Sequence, residues 1–427
     1  VAEVLQRLLR ASDKSKAFGL LFRVLANDTK IKDEGKSLRI LTFASLFPNA
    51  CDLTHGIFIY QRSLHLGMRP GLEVKVVAPV PYFPRWLNIG KWGRTSKIPW
   101  KEDIGGLSIY HPRYFLLPKV SMPYHALSMF LSCMRFIAEL NRTWKIDCID
   151  AHFVYPDGMA AVLLGKWLGI RVIVSARGSD INVYPRFRLI KPLIRWTVAK
   201  ADALITVSSA LKETLVDLGA NESKIRVIPN GVDIRIFEPL QESEARKVLG
   251  LPAQGPIIVS VGSLIPSKGH ALLVAAMQRI ITRHPDLKLY IIGEGPQKSE
   301  LERQIKDSDL KGVVELVGKK PNPELAQWFS AATISCLLSS REGWPNVITE
   351  SLACGTPVVA TSAGGIPEII NSPELGLIVD RTAEAAAMGL EEGITKTWNR
   401  QAIALRGRSR TWDQVAGEVE AVVRAQM

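Results

Sequence analysis

Two carboxylates, Glu342 and Glu350, stand eight positions apart in the stretch Arg341-Glu342-Gly343-Trp344-Pro345-Asn346-Val347-Ile348-Thr349-Glu350. Before them, Thr333 to Leu338 is a short β-branched, apolar run that suits a buried strand. Pro345 and Asn346 mark a turn, with Asn346 the expected N-cap of a helix over 347–354 that stops at Gly355 before Pro357. The free amides and positive dipole end of that helix start suit an anion such as a phosphate. One acid just before the helix and another a turn inside it repel phosphate, but accept well from sugar or ribose hydroxyls. The constellation reads as a sugar held beside a diphosphate.

The elements that must position this stretch follow the same logic. Val358 to Thr361 is the next strand, and Ser362-Ala363-Gly364-Gly365-Ile366-Pro367-Glu368 a glycine turn into another helix. Ile257 to Val261 is a strand leading to Gly262-Ser263-Leu264-Ile265-Pro266-Ser267-Lys268-Gly269. Leu287–Ile292 enters the turn Gly293-Glu294-Gly295, and Val313–Val317 enters Gly318-Lys319-Lys320. Upstream, Leu38 to Ala44 is a strand whose loop runs through Thr54-His55-Gly56 into a helix from Ile57. Runs at Val74–Ala78, Ser108–His111, Ile146–Asp150, Val172–Ala176, Ala203–Val207 and Lys224–Ile228 read as further strands, most with helical segments between. No GxGxxG opens the first turn, which argues against a dinucleotide there.

With Gly343 after the first acid and Ala353-Cys354-Gly355-Thr356-Pro357-Val358-Val359-Ala360 beyond the second, the 341–368 stretch resembles glycosyltransferase family 4, retaining enzymes of the bacterial envelope and exopolysaccharide type. The likeness extends over roughly residues 38–425, with Pro229-Asn230-Gly231-Val232-Asp233 at the place of the family's interdomain hinge. It implies an α/β GT-B fold, two Rossmann-like domains facing a cleft, with the C-terminal helix crossing back to the first. The expected organisation is an extension over 1–36, an acceptor domain over 37–230 with part of 411–427, and a donor domain over 231–410. The extension is either amphipathic or disordered.

The resemblance also implies roles. Glu342 and Lys268 are the expected catalytic pair. Gly56, Ser263, Gly293, Gly318, Lys319, Gly343, Trp344, Pro345, Asn346, Val347 and Glu350 are expected to bind the donor. His55, His152, Arg177 and Asp180 face the acceptor side. Two positions depart from the family pattern: Ser263 stands where a cation is usual, and Arg177 where a histidine is usual. Arg177 either neutralises phosphate or pairs with Asp180, and His152 is either a satisfied loop residue or a catalytic one.

No metal is expected. Asp307-Ser308-Asp309 sits at the polar end of a surface helix, and no Cys/His cluster has zinc spacing. No cofactor is expected beyond the nucleotide sugar as co-substrate. The implied activity is transfer from a nucleotide diphosphate sugar to a glycan or lipid-linked hydroxyl. The alternatives are a sugar-nucleotide epimerase of the same fold and a non-catalytic sugar-nucleotide-binding subunit.

Charge is divided unevenly. Residues 1–230 carry 33 Lys/Arg against 18 Asp/Glu, and residues 231–427 carry 21 against 23. A basic first half suits either plain solvation or an anionic partner, here an anionic membrane surface or a phosphorylated acceptor. Arg85, Trp86, Lys91, Trp92, Arg94, Arg113, Phe115 and Lys119 mix base with aromatics in two loops, and without a recognisable module nucleic acid is not an expected partner. No run of about 18 apolar residues suggests a spanning helix. Five scattered cysteines lack CxxC spacing and read as free thiols, so a cytoplasmic location at the inner face of the membrane is expected.

Overall fold

The computed structural model describes residues 37–82, 95–116 and 122–427. The extension 1–36 and the loop residues Arg85, Trp86, Lys91, Trp92, Arg94 and Lys119 lie outside the described residues.

Among the described residues, the first half has the strands β1 (Leu38–Phe43), β2 (Leu72–Val77), β3 (Val80–Pro81), β4 (Lys101–Ile104), β5 (Leu107–Tyr110), β6 (Arg113–Tyr114), β7 (Cys148–His152), β8 (Arg171–Ala176), β9 (Ala203–Thr206) and β10 (Ile225–Val227). Eight of them form one sheet in the order β10-β9-β8-β7-β1-β2-β5-β4, while β3 and β6 pair separately. All neighbours in the main sheet are parallel except β4, which turns back on β5. Parallel neighbours need crossovers, supplied by helices such as Ile57–Gly67 and Met159–Leu168. Sheets covered on both faces favour apolar runs, as in the fully buried β9, whereas the equally buried β7 carries Asp150 and His152.

The second sheet holds β11 (Ile257–Val261), β12 (Lys288–Ile292), β13 (Val314–Leu316), β14 (Ile334–Leu337), β15 (Val358–Thr361) and β16 (Gly376–Val379). Its order is β13-β12-β11-β14-β15-β16, parallel throughout. In each sheet the chain reverses its direction of travel once, between β1 and β7 and between β11 and β14. Loops leaving the carboxyl ends of those strands line the crevice of an open α/β sheet. The candidate residues sit in these four loops or in those beside them.

The two halves are joined twice. Val232 pairs with Thr411 as a parallel bridge. A Cβ on Gly231 would lie 2.5 Å from the carbonyl carbon of Thr411, so only glycine admits the two crossing strands. Thr411 and Gln414 then form a capping box at the start of the helix Trp412–Arg424. Its face of Trp412, Val415, Val419 and Val423 packs with Ile40, Ile173, Ile205 and Ile228 of the first half. The C-terminal helix therefore crosses back, as the GT-B fold requires.

One local expectation is corrected. The helix after Glu342 spans Asn346–Ala353, with Pro345 in the cap position and no side chain capping it. Asn346 is the first helical residue, because its side chain is drawn into a contact with Asn230 across the halves.

Candidate functional site

The loop after β11 and the loop after β14 meet. Gly269 is left-handed (φ 77°), and a Cβ there would lie 2.2 Å from the Leu338 carbonyl oxygen. That approach sets Lys268 beside Glu342: Nζ lies 2.6 Å from Oε1. Ser339 Oγ donates to the same oxygen at 2.6 Å. The Glu342 side chain is only 10% exposed, and among the described residues Oε2 has no hydrogen-bond partner. The carboxylate is thus fixed by one oxygen and open at the other.

Gly343, Trp344, Pro345, Asn346 and Val347 lead straight into the uncapped helix start, whose first amides are the free donors an anion uses. One turn further, Glu350 has no hydrogen-bond partner among the described residues, and burial pushes its carboxyl up to about 8. Such a group gains most from a ligand that donates to it.

The remaining donor-side glycines surround this core. Gly293 packs where a Cβ would lie 1.9 Å from the Gly262 carbonyl oxygen, so the β12 loop closes against Ser263. Its amide donates to the Gly318 carbonyl at 3.0 Å, linking in the β13 loop. Lys319 at the end of that loop reaches across to Asp52 of the first half at 3.2 Å. Gly56, left-handed at φ 68°, precedes the helix Ile57–Gly67 and leaves no room for a Cβ against the Leu46 carbonyl. His55 packs its ring on the Phe47 carbonyl at 3.3 Å, and burial pulls its pKa down.

From the first half, the loop after β8 reaches the acids. A Cβ on Gly343 would lie 2.0 Å from the Arg177 carbonyl oxygen, and Asn182 Nδ2 lies 3.5 Å from the Glu342 carbonyl. Arg177 does not pair with Asp180 through its side chain. Asp180 is fully buried and instead accepts from the amides of Val154, Arg177 and Gly178, which organises the loop. The Arg177 guanidinium donates to His152 Nδ1 at 2.7 Å and Asn230 Oδ1 at 2.8 Å.

His152 is fully buried, and burial pulls its pKa down to about 3, so the ring is neutral. Since Nδ1 accepts from Arg177, the proton belongs on Nε2, 3.3 Å from Asp150. Asp150 is in turn held by both oxygens on Arg62 at 2.9 and 3.0 Å. His152 thus ends β7, held at Nδ1 by Arg177, while its buried Nε2 faces Asp150 without a hydrogen bond among the described residues.

Several participants carried no sequence signal. Ser339 and the Arg62–Asp150 pair are ordinary residue types at ordinary spacings, and Asn230 showed only as part of the hinge stretch 229–233. Glu368 was visible in the glycine turn, but its partners were not: it accepts from the Ser209 amide at 2.8 Å and hydroxyl at 3.1 Å across the halves. Asp307 and Asp309 stay at the far end of the helix Lys298–Asp307, and among the described residues no group of three potential metal ligands forms.

Comparison with known proteins agrees with this architecture. Residues 70–235 match the model described as Glycosyltransferase Family 4, and residues 241–410 match Glycosyl transferases group 1. The chain is 29% identical over 374 residues to the putative teichuronic acid biosynthesis glycosyltransferase TuaC of Bacillus subtilis, covering 85% of this chain and 90% of that protein. It is 31% identical over 333 residues to the D-inositol 3-phosphate glycosyltransferase of Acidothermus cellulolyticus, covering 72% and 73%. Among solved structures, sucrose-phosphate synthase from Thermosynechococcus elongatus superposes with a TM-score of 0.73 at 20% identity, over 91% of this chain and 99% of that one. Anabaena HepE in complex with UDP gives 0.69 at 17% identity, over 91% and 100%. With the two-sheet fold, the crossing helix and the acids at the second switch point, these matches place the chain in the glycosyltransferases of GT-B fold that join a Family 4 half to a group 1 half.

Proposed function

We propose that the chain transfers a sugar from a nucleotide diphosphate sugar to a hydroxyl of a glycan or lipid-linked acceptor, with retention at the anomeric carbon. The observation that carries this reading is Glu342, pinned by Lys268 and Ser339 beside an uncapped helix start. Glu342 Oε2 and the amides of Gly343, Trp344, Asn346 and Val347 take hydroxyls of the sugar, and Glu350 takes those of the ribose. Lys268 and the helix start stabilise the charge that builds on the leaving diphosphate, which is usually the largest electrostatic contribution to such catalysis.

Among the described residues, the buried titratable groups beside the Arg177 loop are not free bases. His152 is neutral, with Nδ1 taken by Arg177 and Nε2 turned to Asp150, and Asp157, raised to about 7 by burial, is sealed against Ser45. A route in which the leaving phosphate itself takes the acceptor proton agrees with that arrangement.

A role in cell-envelope or extracellular polysaccharide synthesis draws support from the relative named for teichuronic acid. Docking at the inner face of an anionic membrane draws support from exposed Phe115, Tyr124, Leu127 and Leu131 on the first half. Among the described residues no helix is long and apolar enough to cross a membrane, so the association is peripheral in this reading.

A product assay with a panel of nucleotide sugars and candidate acceptors tests the proposal. Release of a nucleoside diphosphate coupled to a glycosylated acceptor is expected. Isomerisation of the nucleotide sugar without acceptor would indicate an epimerase instead, and binding without turnover a non-catalytic subunit.

A further inference from the structure

Of the donor-side residues named above, Lys268 and Lys319 are the cations, and Lys319 pairs with Asp52 of the first half at 3.2 Å. Lys268 is the cation of the β11 loop, and it already shares Oε1 of Glu342. Position 263 in the same loop is serine.

A further cation stands opposite. Arg177 is 8% exposed and comes from the first half, yet its backbone touches Gly343, next to Glu342. Its guanidinium lies over the Phe58 ring at 5.4 Å, on the helix that follows Gly56. On its other side it donates to Asn230, which donates to Asn346, the first residue of the donor helix, at 2.9 Å. The charge is therefore held between the Gly56 loop and the helix start that together line the candidate donor site.

Its partners do not neutralise it. His152 and Asn230 are neutral acceptors that occupy three of the five guanidinium N–H donors. Among the described residues no carboxylate lies within ion-pair distance of it, because Asp180 spends its oxygens on amides and Asp150 on Arg62. Burial lowers its pKa to about 9, which still leaves it charged at neutral pH. A buried cation with two spare donors and no anionic partner is a strong anion acceptor.

Resting on the donor-site reading above, we propose that Arg177 binds an oxyanion of the donor from across the cleft, making the first half a contributor to donor charge neutralisation. The oxyanion is either a diphosphate oxygen or a carboxylate on the transferred sugar. Both present the same acceptor to the guanidinium fork. The Arg177–His152–Asn230 bonds orient that fork, so donor binding and the approach of the two halves reinforce one another.

Titration calorimetry on the wild type and Arg177→Gln, using UDP, UDP-glucose and UDP-glucuronate, distinguishes the two sources. A rise in Kd of roughly tenfold to a hundredfold is expected, the size of one lost charge-assisted hydrogen bond. If it is common to all three ligands, the diphosphate is the partner. If it is confined to UDP-glucuronate, the sugar carboxylate is. Unchanged affinity for all three overturns the proposal. Should Arg177→Gln unfold, Arg177→His, which restores the residue usual at this position in the family and removes the fixed charge, takes its place, and unchanged affinities there overturn it equally. If UDP, GDP and ADP and their sugars all fail to bind the wild type, the transferase reading itself falls, and this inference with it.

Discussion

Lys268 and Glu342, 74 residues apart in sequence, meet at 2.6 Å, with Ser339 donating to the same carboxylate oxygen. The lysine and the acid hold each other in place before any donor arrives. In the proposed transfer, the lysine turns its remaining donors to the diphosphate while Oε2 of the acid accepts from the sugar. One pair thereby serves both ends of the bond that breaks.

Glu342→Gln keeps the shape and removes the charge. Transfer should fall by roughly 10²–10³-fold or more, the scale for losing one preorganised electrostatic group, while the free nucleotide still binds. Lys268→Ala should instead weaken nucleoside diphosphate binding about tenfold, since a charge-assisted contact is lost. Steady-state kinetics with calorimetry separates the two effects, and an unchanged rate in the first variant would misplace the site.

The pH dependence of binding should report Glu350. Its carboxyl is raised to about 8 by burial, so it is mainly protonated below that pH and ionised above it. Ribose hydroxyls donate best to the ionised form, so nucleotide affinity should rise as pH climbs to about 8 and level off beyond, by up to tenfold per unit. Glu350→Gln should weaken binding and remove this component, leaving only the titration of the nucleotide. Identical pH profiles for the two proteins would contradict the assignment.

Much of the frame was legible from the chain because it is written in local patterns. Apolar β-branched runs located nearly all the parallel strands to within two residues. Gly56 and Gly269 were visible as loop glycines, but their close approach to the Leu46 and Leu338 carbonyls shows only in the fold. Edge strand β4 was missed because Lys101-Glu102-Asp103 reads as a charged loop, and only the pairing with β5 makes it a strand. The candidate acids and lysine were visible in the sequence, but the hydrogen bonds behind them were not. Arg177, His152, Asn230 and Asn346 are joined across separations of 25, 53 and 116 residues, by hydrogen bonds that no spacing rule encodes. The helix start was misplaced by one residue for the same reason, since Asn346 serves a distant partner rather than its own helix.

Gly231 is where the two crossings between halves touch. Gly231→Ala would drive a methyl into the Thr411–Trp412 backbone, 2.5–2.7 Å away. The expected loss is about 1–3 kcal/mol, typical of overpacking. Urea unfolding reads it directly, and wild-type stability in the variant would mean that the crossing is looser than described.

Activity should survive chelation, because charge stabilisation is assigned to Lys268 and backbone amides, and the Asp307–Asp309 pair lies away from them on a polar helix end. Assays with and without EDTA decide this. Loss that Mg²⁺ or Mn²⁺ restores would overturn it.

Membrane docking should depend on charge and on exposed aromatics together. Each cation near an anionic surface contributes on the order of 1 kcal/mol, screened beyond about 8–10 Å at physiological salt. Sedimentation with anionic vesicles should be reversed by salt and weakened by Leu127→Ser with Leu131→Ser, on the exposed face of the helix His125–Trp144. Equal sedimentation with neutral vesicles would refute docking by charge.

The most direct test of the central claim is the anomeric configuration of the product, read by NMR after transfer from a nucleotide sugar of known configuration. The account predicts that the new glycosidic bond has the configuration of the donor and that a nucleoside diphosphate is released in equal amount. An inverted product, or turnover with no diphosphate released, would contradict it.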